Sequence, residues 1–230
     1  MRSDSSTVAK TLRHQARVRG EHPLLVCDGD RIGYDEADRR SADLARGLMA
    51  LGAGKGTHVG LLYPNGPDFV VGMLAAARIG AVVVPFSTFA TARELREQLV
   101  DSDVEILLSA SSFRSHDYAQ RLAEVVSEAD VDARLFSPAA PHLRHVALTH
   151  EAVYRRAGTV DPARLHAMED DVHDCDPLAI VYTSGSTSTP KGVVHTHGAL
   201  LGHQRNLNTI RGLTAADTFV VCQELGASVS

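Results

Sequence analysis

From residue 7 to residue 127 the chain alternates two patterns: apolar residues recurring every three or four positions, and short runs of Val, Ile, Leu and Ala. Helical spacing marks Thr7 to Val18, where Val8, Leu12 and Ala16 share a face, and again the stretch after Asp35, where Ala37, Leu44, Leu48 and Leu51 do. Asp35 is suited to cap the second of these helices and Gly52 to end it. Between them, Leu24-Leu25-Val26-Cys27 and Arg31-Ile32-Gly33-Tyr34 flank Asp28-Gly29-Asp30, a hairpin pattern. Val59 to Leu62 is a short buried strand, Pro64 to Pro67 a turn, and Asp68 to Ile79 an alanine-rich helix. Ala81 to Pro85 is a strand that proline stops. Thr91, with Glu94 three positions on, forms a capping box for a helix running to Val100. A strand over 104–108 and a helix over 118–127 follow. This repeated order predicts an α/β fold, a doubly wound, mostly parallel sheet with flanking helices.

The pattern thins after residue 130. Strands are expected near Ala133 to Phe136, His145 to Leu148 and Thr218 to Val221, and the acidic run Met168 to Asp176 reads as a solvated connector. Gly52-Ala53-Gly54-Lys55-Gly56 has the glycines of a nucleotide loop, but it follows a helix and precedes a strand. A dinucleotide fingerprint has the opposite order, so this stretch reads as a helix stop and turn. His195-Thr196-His197 holds two imidazoles without a third ligand, and reads as a strand end followed by a helix running to about Ile210.

Composition narrows the function classes. Of 230 residues, 44% are hydrophobic and 22% charged, as in an ordinary soluble globular protein. A formal net charge of −5 without a basic cluster argues against a nucleic-acid partner. Cys27, Cys175 and Cys222 are far apart and odd in number, which predicts free thiols in a reducing cytoplasm. Met1 to Val18 has no continuous apolar segment, so no secretory signal is expected, and Arg78 and Pro85 interrupt the most apolar stretch, so no membrane span is either.

The densest chemistry lies late in the chain. The apolar run Leu178-Ala179-Ile180-Val181 leads into Tyr182-Thr183-Ser184-Gly185-Ser186-Thr187-Ser188-Thr189-Pro190-Lys191-Gly192, and Val193-Val194 leads out. By composition alone such a Ser/Thr/Gly stretch is a linker. Its position between two strands expected to be buried, and the lysine placed after a proline, favour a loop that presents backbone N–H groups, hydroxyls and one cation to a polyphosphate. It is not a Walker A loop, which needs glycine before the lysine and Ser or Thr after it.

Thr183 to Gly192 resembles the phosphate-binding signature of the adenylate-forming (AMP-binding) superfamily, most like the N-terminal part of an acyl-CoA synthetase or fatty-acid CoA ligase. One position departs, since Ser188 stands where the family most often has glycine. Ala75 to Pro85 is similar to a scaffold segment that recurs in the same family. The resemblance implies ATP-dependent activation of a small-molecule carboxylic acid to an acyl-adenylate, followed by thioester formation with coenzyme A. Carried over, Thr183, Ser184, Gly185, Ser186, Thr187, Ser188 and Lys191 would hold the ATP phosphates, and Thr183 would also help hold Mg²⁺.

The resemblance also implies what is missing. Family members are considerably longer. Their adenine- and ribose-binding groups, their Mg²⁺-holding glutamate motif and their mobile C-terminal domain with its catalytic lysine would follow Ser230. Where the family continues with an apolar-aromatic segment, this chain reads Cys222-Gln223-Glu224-Leu225-Gly226-Ala227-Ser228-Val229-Ser230. Residues 1–230 are therefore expected to be an incomplete N-terminal AMP-binding domain, truncated or frame-shifted, with no catalytic residue of its own. The alternative is a non-catalytic α/β module that binds nucleotide weakly or binds partners.

Overall fold

A computed structural model describes residues 6–126, 133–183 and 191–220. Helix α1 (Val8–Arg19) is capped by Thr7, whose hydroxyl accepts from the Lys10 N–H. Strands β1 (Pro23–Cys27) and β2 (Asp30–Gly33) pair as the expected hairpin. In its turn Asp28, rather than Gly29, takes the left-handed conformation, with φ 52°. Helix α2 (Tyr34–Ala50) follows without a connector. Asp35 is therefore not the cap: Gly33 is, and the Asp35 carboxylate accepts from the Glu36 N–H at 2.8 Å inside the first turn. The strand runs so tightly into the helix that a Cβ on Gly33 would lie 3.0 Å from the Glu21 carbonyl oxygen.

The central unit then unfolds as read: β3 (His58–Leu62), α3 (Pro67–Arg78), β4 (Val82–Pro85), α4 (Ala92–Asp101) and β5 (Ile106–Ser109). Both halves of the Thr91–Glu94 capping box are present at α4. A small hairpin, β6 (Ser112–Phe113) with β7 (His116–Asp117), leads to α5 (Tyr118–Ala123), shorter than the helix expected over 118–127. Then come β8 (His145–Ala147), α6 (His150–Tyr154), α7 (Pro162–Asp171), β9 (Pro177–Thr183), β10 (Lys191–Thr196) and α8 (His197–Arg211).

Six strands form one sheet in the order β10-β9-β4-β3-β5-β8. β9, β4, β3, β5 and β8 are parallel, and β10 returns antiparallel along β9. Side chains alternate between the two faces of the sheet. Val59, Leu61, Val83, Ile106 and Leu108 pack with α1, α2, α3 and α6 on one face. Leu62, Val84 and Leu107 pack with α4 and α5 on the other, joined by Ile180 and Tyr182. Helices on both faces of a mostly parallel sheet are the doubly wound layout the sequence predicts.

Four expectations are corrected. Ala133 to Phe136 forms no strand, because the Leu135 N–H bonds to the Arg144 carbonyl in a local loop instead of to a ladder. Thr218 to Val220 forms none either, and Phe219 and Val220 are 65% and 73% exposed. The acidic run is no solvated connector: its first half ends α7, and Glu169 is fully buried. Nor are both strands around the Ser/Thr loop buried, since β10 is an edge strand with Val193 and Val194 exposed. Among the described residues no helix is long and apolar enough to cross a membrane. Cys27 and Cys175 are free thiols.

Candidate phosphate-binding site

The carboxyl ends of the parallel strands are where open α/β sheets bind ligands. β9 ends there at Thr183, and β10 returns from there at Lys191. These two residues are direct partners across the hairpin, and the register continues Gly192 to Tyr182, Val193 to Val181 and Val194 to Ile180. The ladder thus holds Thr183 and Lys191, the residues on either side of positions 184–190, next to each other. Of the residues expected to hold phosphate, Thr183 and Lys191 are brought together, Lys191 exposed and Thr183 half-buried. Ser184, Gly185, Ser186, Thr187 and Ser188 lie outside the described residues.

The hairpin is anchored at its far end. Helix α8 starts at His197, which is fully buried and whose Nδ1 accepts from the Val8 N–H at 3.3 Å. Burial holds the His197 imidazole below its ordinary pKa, so it stays neutral and serves as an acceptor. This fits the expected structural role of His195 and His197. Among the described residues no group of three or more His, Cys, Asp and Glu could hold a metal ion.

The glycine-rich decoy also resolves. Gly52 and Gly56 have φ of 94° and 82°, turn conformations that follow the end of α2 and lead into β3. Lys55 is used internally, its Nζ 2.8 Å from Asp176 Oδ2 and 2.7 Å from the Asp171 carbonyl oxygen. Its bond to Asp176 raises the lysine pKa, whereas burial opposes and the same bond favours a lowered Asp176 pKa.

Sequence reasoning did not find one concave feature. A cleft of about 500 Å³ lies beyond β3 and β5, lined by Tyr63, Asn65, Asp68 and Ala110 together with Arg31 and Arg40. It sits at a switch point, because β3 connects toward β4 and β5 toward β8. Its Arg40 is already paired, 3.1 Å from Asp68 and 3.5 Å from Glu36. Only the strand order could have revealed it, since its lining is scattered over residues 27–113.

A mostly parallel, doubly wound sheet, with Thr183 and Lys191 paired at the carboxyl end of β9, is the α/β class of fold that binds its ligands beyond the strand ends. The AMP-binding enzyme family matches residues 12–228, and the chain belongs to that family. The acetyl-coenzyme A synthetase of Cronobacter sakazakii is 31% identical over 216 residues, which are 84% of this chain and 31% of that protein. The N-terminal domain of FACL13 from Mycobacterium tuberculosis, solved with an inhibitor bound, matches with a TM-score of 0.65 at 28% identity, covering 84% of this chain and 44% of that one. A long-chain-fatty-acid-CoA ligase from Archaeoglobus fulgidus matches in fold with a TM-score of 0.74 at 23% identity, covering 98% of this chain and 44% of that one. The chain spans about a third of the length of the curated relatives it matches.

Proposed function

We propose that residues 1–230 are the incomplete N-terminal part of an AMP-binding domain, and that they supply the ATP-phosphate cradle of a cytoplasmic acyl-CoA ligase. The observation that carries this reading is the pairing of Thr183 with Lys191 at the carboxyl edge of the sheet. In the reaction a carboxylate oxygen attacks the α-phosphorus of ATP, and the bond to the bridging oxygen breaks to release pyrophosphate. The thiol of coenzyme A then takes the acyl group and AMP leaves. Charge grows on the departing pyrophosphate in the first step, so preorganised donors aimed at it lower the barrier.

The roles divide by chemistry. The backbone N–H groups and hydroxyls of Ser184, Gly185, Ser186, Thr187 and Ser188 hold the β and γ phosphates, and Lys191 places a point charge beside them. Thr183 has one hydroxyl at the mouth of the loop, and that suits Mg²⁺, which takes few protein ligands and otherwise uses phosphate and water. When bound, the ion neutralises charge on the phosphates.

Carboxylate-dependent ATP–pyrophosphate exchange tests the reading. Residues 1–230 alone are expected to give no exchange above background, and the chain joined to a downstream AMP-binding half from a relative is expected to give it. Exchange by the chain alone would overturn the assignment of an incomplete site. A second reading, a non-catalytic module that binds nucleotide weakly or binds partners, is favoured on its partner-binding side by α8, whose only buried residue is His197. Pyrophosphate binding without exchange in the joined protein would select that reading.

A further inference from the structure

The residue pair next to Thr183 and Lys191 is Tyr182 and Gly192. A Cβ on Gly192 would meet Ile180 Cγ2 at 2.8 Å and the Tyr182 ring carbon Cζ at 3.4 Å. The glycine therefore makes room for Ile180, and the Tyr182 ring lies beside it at ordinary contact distance. The ring belongs to the cluster under α4, and its hydroxyl donates to Asp101 Oδ2 at 2.5 Å. Asp101 is the last residue of α4, whose final turn holds no basic side chain. A carboxylate at that negative end of the helix dipole is disfavoured unless something compensates it, and the tyrosine hydroxyl does. Burial first, and then Asp101, raise the Tyr182 pKa, so the hydroxyl keeps the proton it donates.

We infer that Tyr182 is a positioning residue for the loop that follows it: its bond to Asp101 fixes the carboxyl end of β9 against α4 and so sets the direction in which Thr183 leaves the sheet. The inference rests on the phosphate-loop reading.

Titrating inorganic pyrophosphate into the 230-residue chain by calorimetry, alongside thermal melts, tests this. Tyr182→Phe is expected to weaken binding roughly fivefold, the loss of one hydrogen bond's worth of alignment, with Tm shifted by no more than about 2 °C. Asp101→Ala is expected to match it, and the double variant to be no worse than either single one. Asp101→Asn keeps an acceptor oxygen and is expected to restore most of the affinity. Lys191→Ala is the control for the parent reading. If Lys191→Ala weakens binding and Tyr182→Phe does not, the positioning inference fails and the phosphate loop stands. If Tyr182→Phe lowers affinity and Tm together and Asp101→Asn restores neither, the contact is structural only and the inference fails. If the chain does not bind pyrophosphate, or Lys191→Ala binds as the parent does, the phosphate loop fails and the inference with it.

Discussion

Arg78 of α3 and Glu169 of α7 form an ion pair with both side chains inside the protein, 3% and 1% exposed. The guanidinium also donates to Ser41 Oγ at 3.0 Å and to the Asp38 carbonyl at 2.9 Å, and Arg13 reaches Glu169 at 2.7 Å. One cluster thus ties α1, α2, α3 and α7 together. Removing Glu169 takes away the buried carboxylate that Arg78 and Arg13 share, and leaves Arg78 only the part-exposed Asp38 carboxylate as an ion-pair partner. Glu169→Ala is expected to cost roughly 3 kcal/mol in urea unfolding, the low end for a broken buried pair because Asp38 still compensates Arg78. Replacing both residues by apolar ones (Arg78→Met with Glu169→Leu) is expected to cost clearly less, and equal losses would show that the pair itself stabilises the fold.

His150 is nearly buried at the start of α6, its ring 5.0 Å from that of Tyr63 and 5.9 Å from that of Tyr154. Asp68 Oδ1 lies 3.5 Å from its Nδ1, and Arg40 adds an opposing charge. Burial lowers its pKa from 6.5 to about 4. The folded state therefore binds its proton less readily than the unfolded chain. Stability from this site is complete above pH 6.5 and falls as pH drops toward 4, by roughly 3 kcal/mol across the window. His150→Phe keeps the ring contacts and is expected to flatten that acid limb in Tm against pH. An unchanged acid limb would place the titrating group elsewhere.

The two lysines that follow glycine- or serine-rich stretches should separate cleanly. Lys191→Ala is expected to weaken pyrophosphate binding by roughly tenfold to a hundredfold, the magnitude of a charge-assisted contact. Its Tm should hardly move, because the side chain is exposed. Lys55→Ala removes the link to Asp176 and should lower Tm slightly while leaving pyrophosphate affinity as it was. Reversal of the two outcomes would exchange their assignments.

Gly47 lies inside α2, where alanine would ordinarily favour the helix by about 1 kcal/mol. Here a Cβ would stand 2.3 Å from the Val153 carbonyl oxygen and 2.7 Å from Val153 Cγ1. Backbone cannot yield as a flexible side chain can, so α6 must lift. Gly47→Ala is expected to destabilise by roughly 1–3 kcal/mol net in chemical denaturation. A neutral or stabilising result would mean that the α2–α6 contact is loose.

Much of the fold was legible where residues act on their neighbours in sequence. Thr91 and Glu94 announced their helix because a capping box closes within one turn, and Val59 to Leu62 and Val82 to Pro85 announced strands because buried parallel strands are continuous apolar runs. Legibility failed where the partner is remote. Glu169 lies 91 positions from Arg78, so its run of acids looked like surface. Leu135 looked like a strand residue, but its N–H found a loop carbonyl.

Over residues 183–192 the sequence by itself determined the set of donors: hydroxyls, glycines and Lys191 in an order that resembles one family. Donor type is a property of the residues themselves and their order, so it is carried by the sequence. Only the tertiary structure decided that Thr183 faces Lys191, that their hairpin forms the edge of the sheet, and that Tyr182 reaches Asp101. Those relations depend on strand register and on a helix 81 residues away. Register is set by which faces are buried when the whole sheet assembles, and no local pattern encodes it.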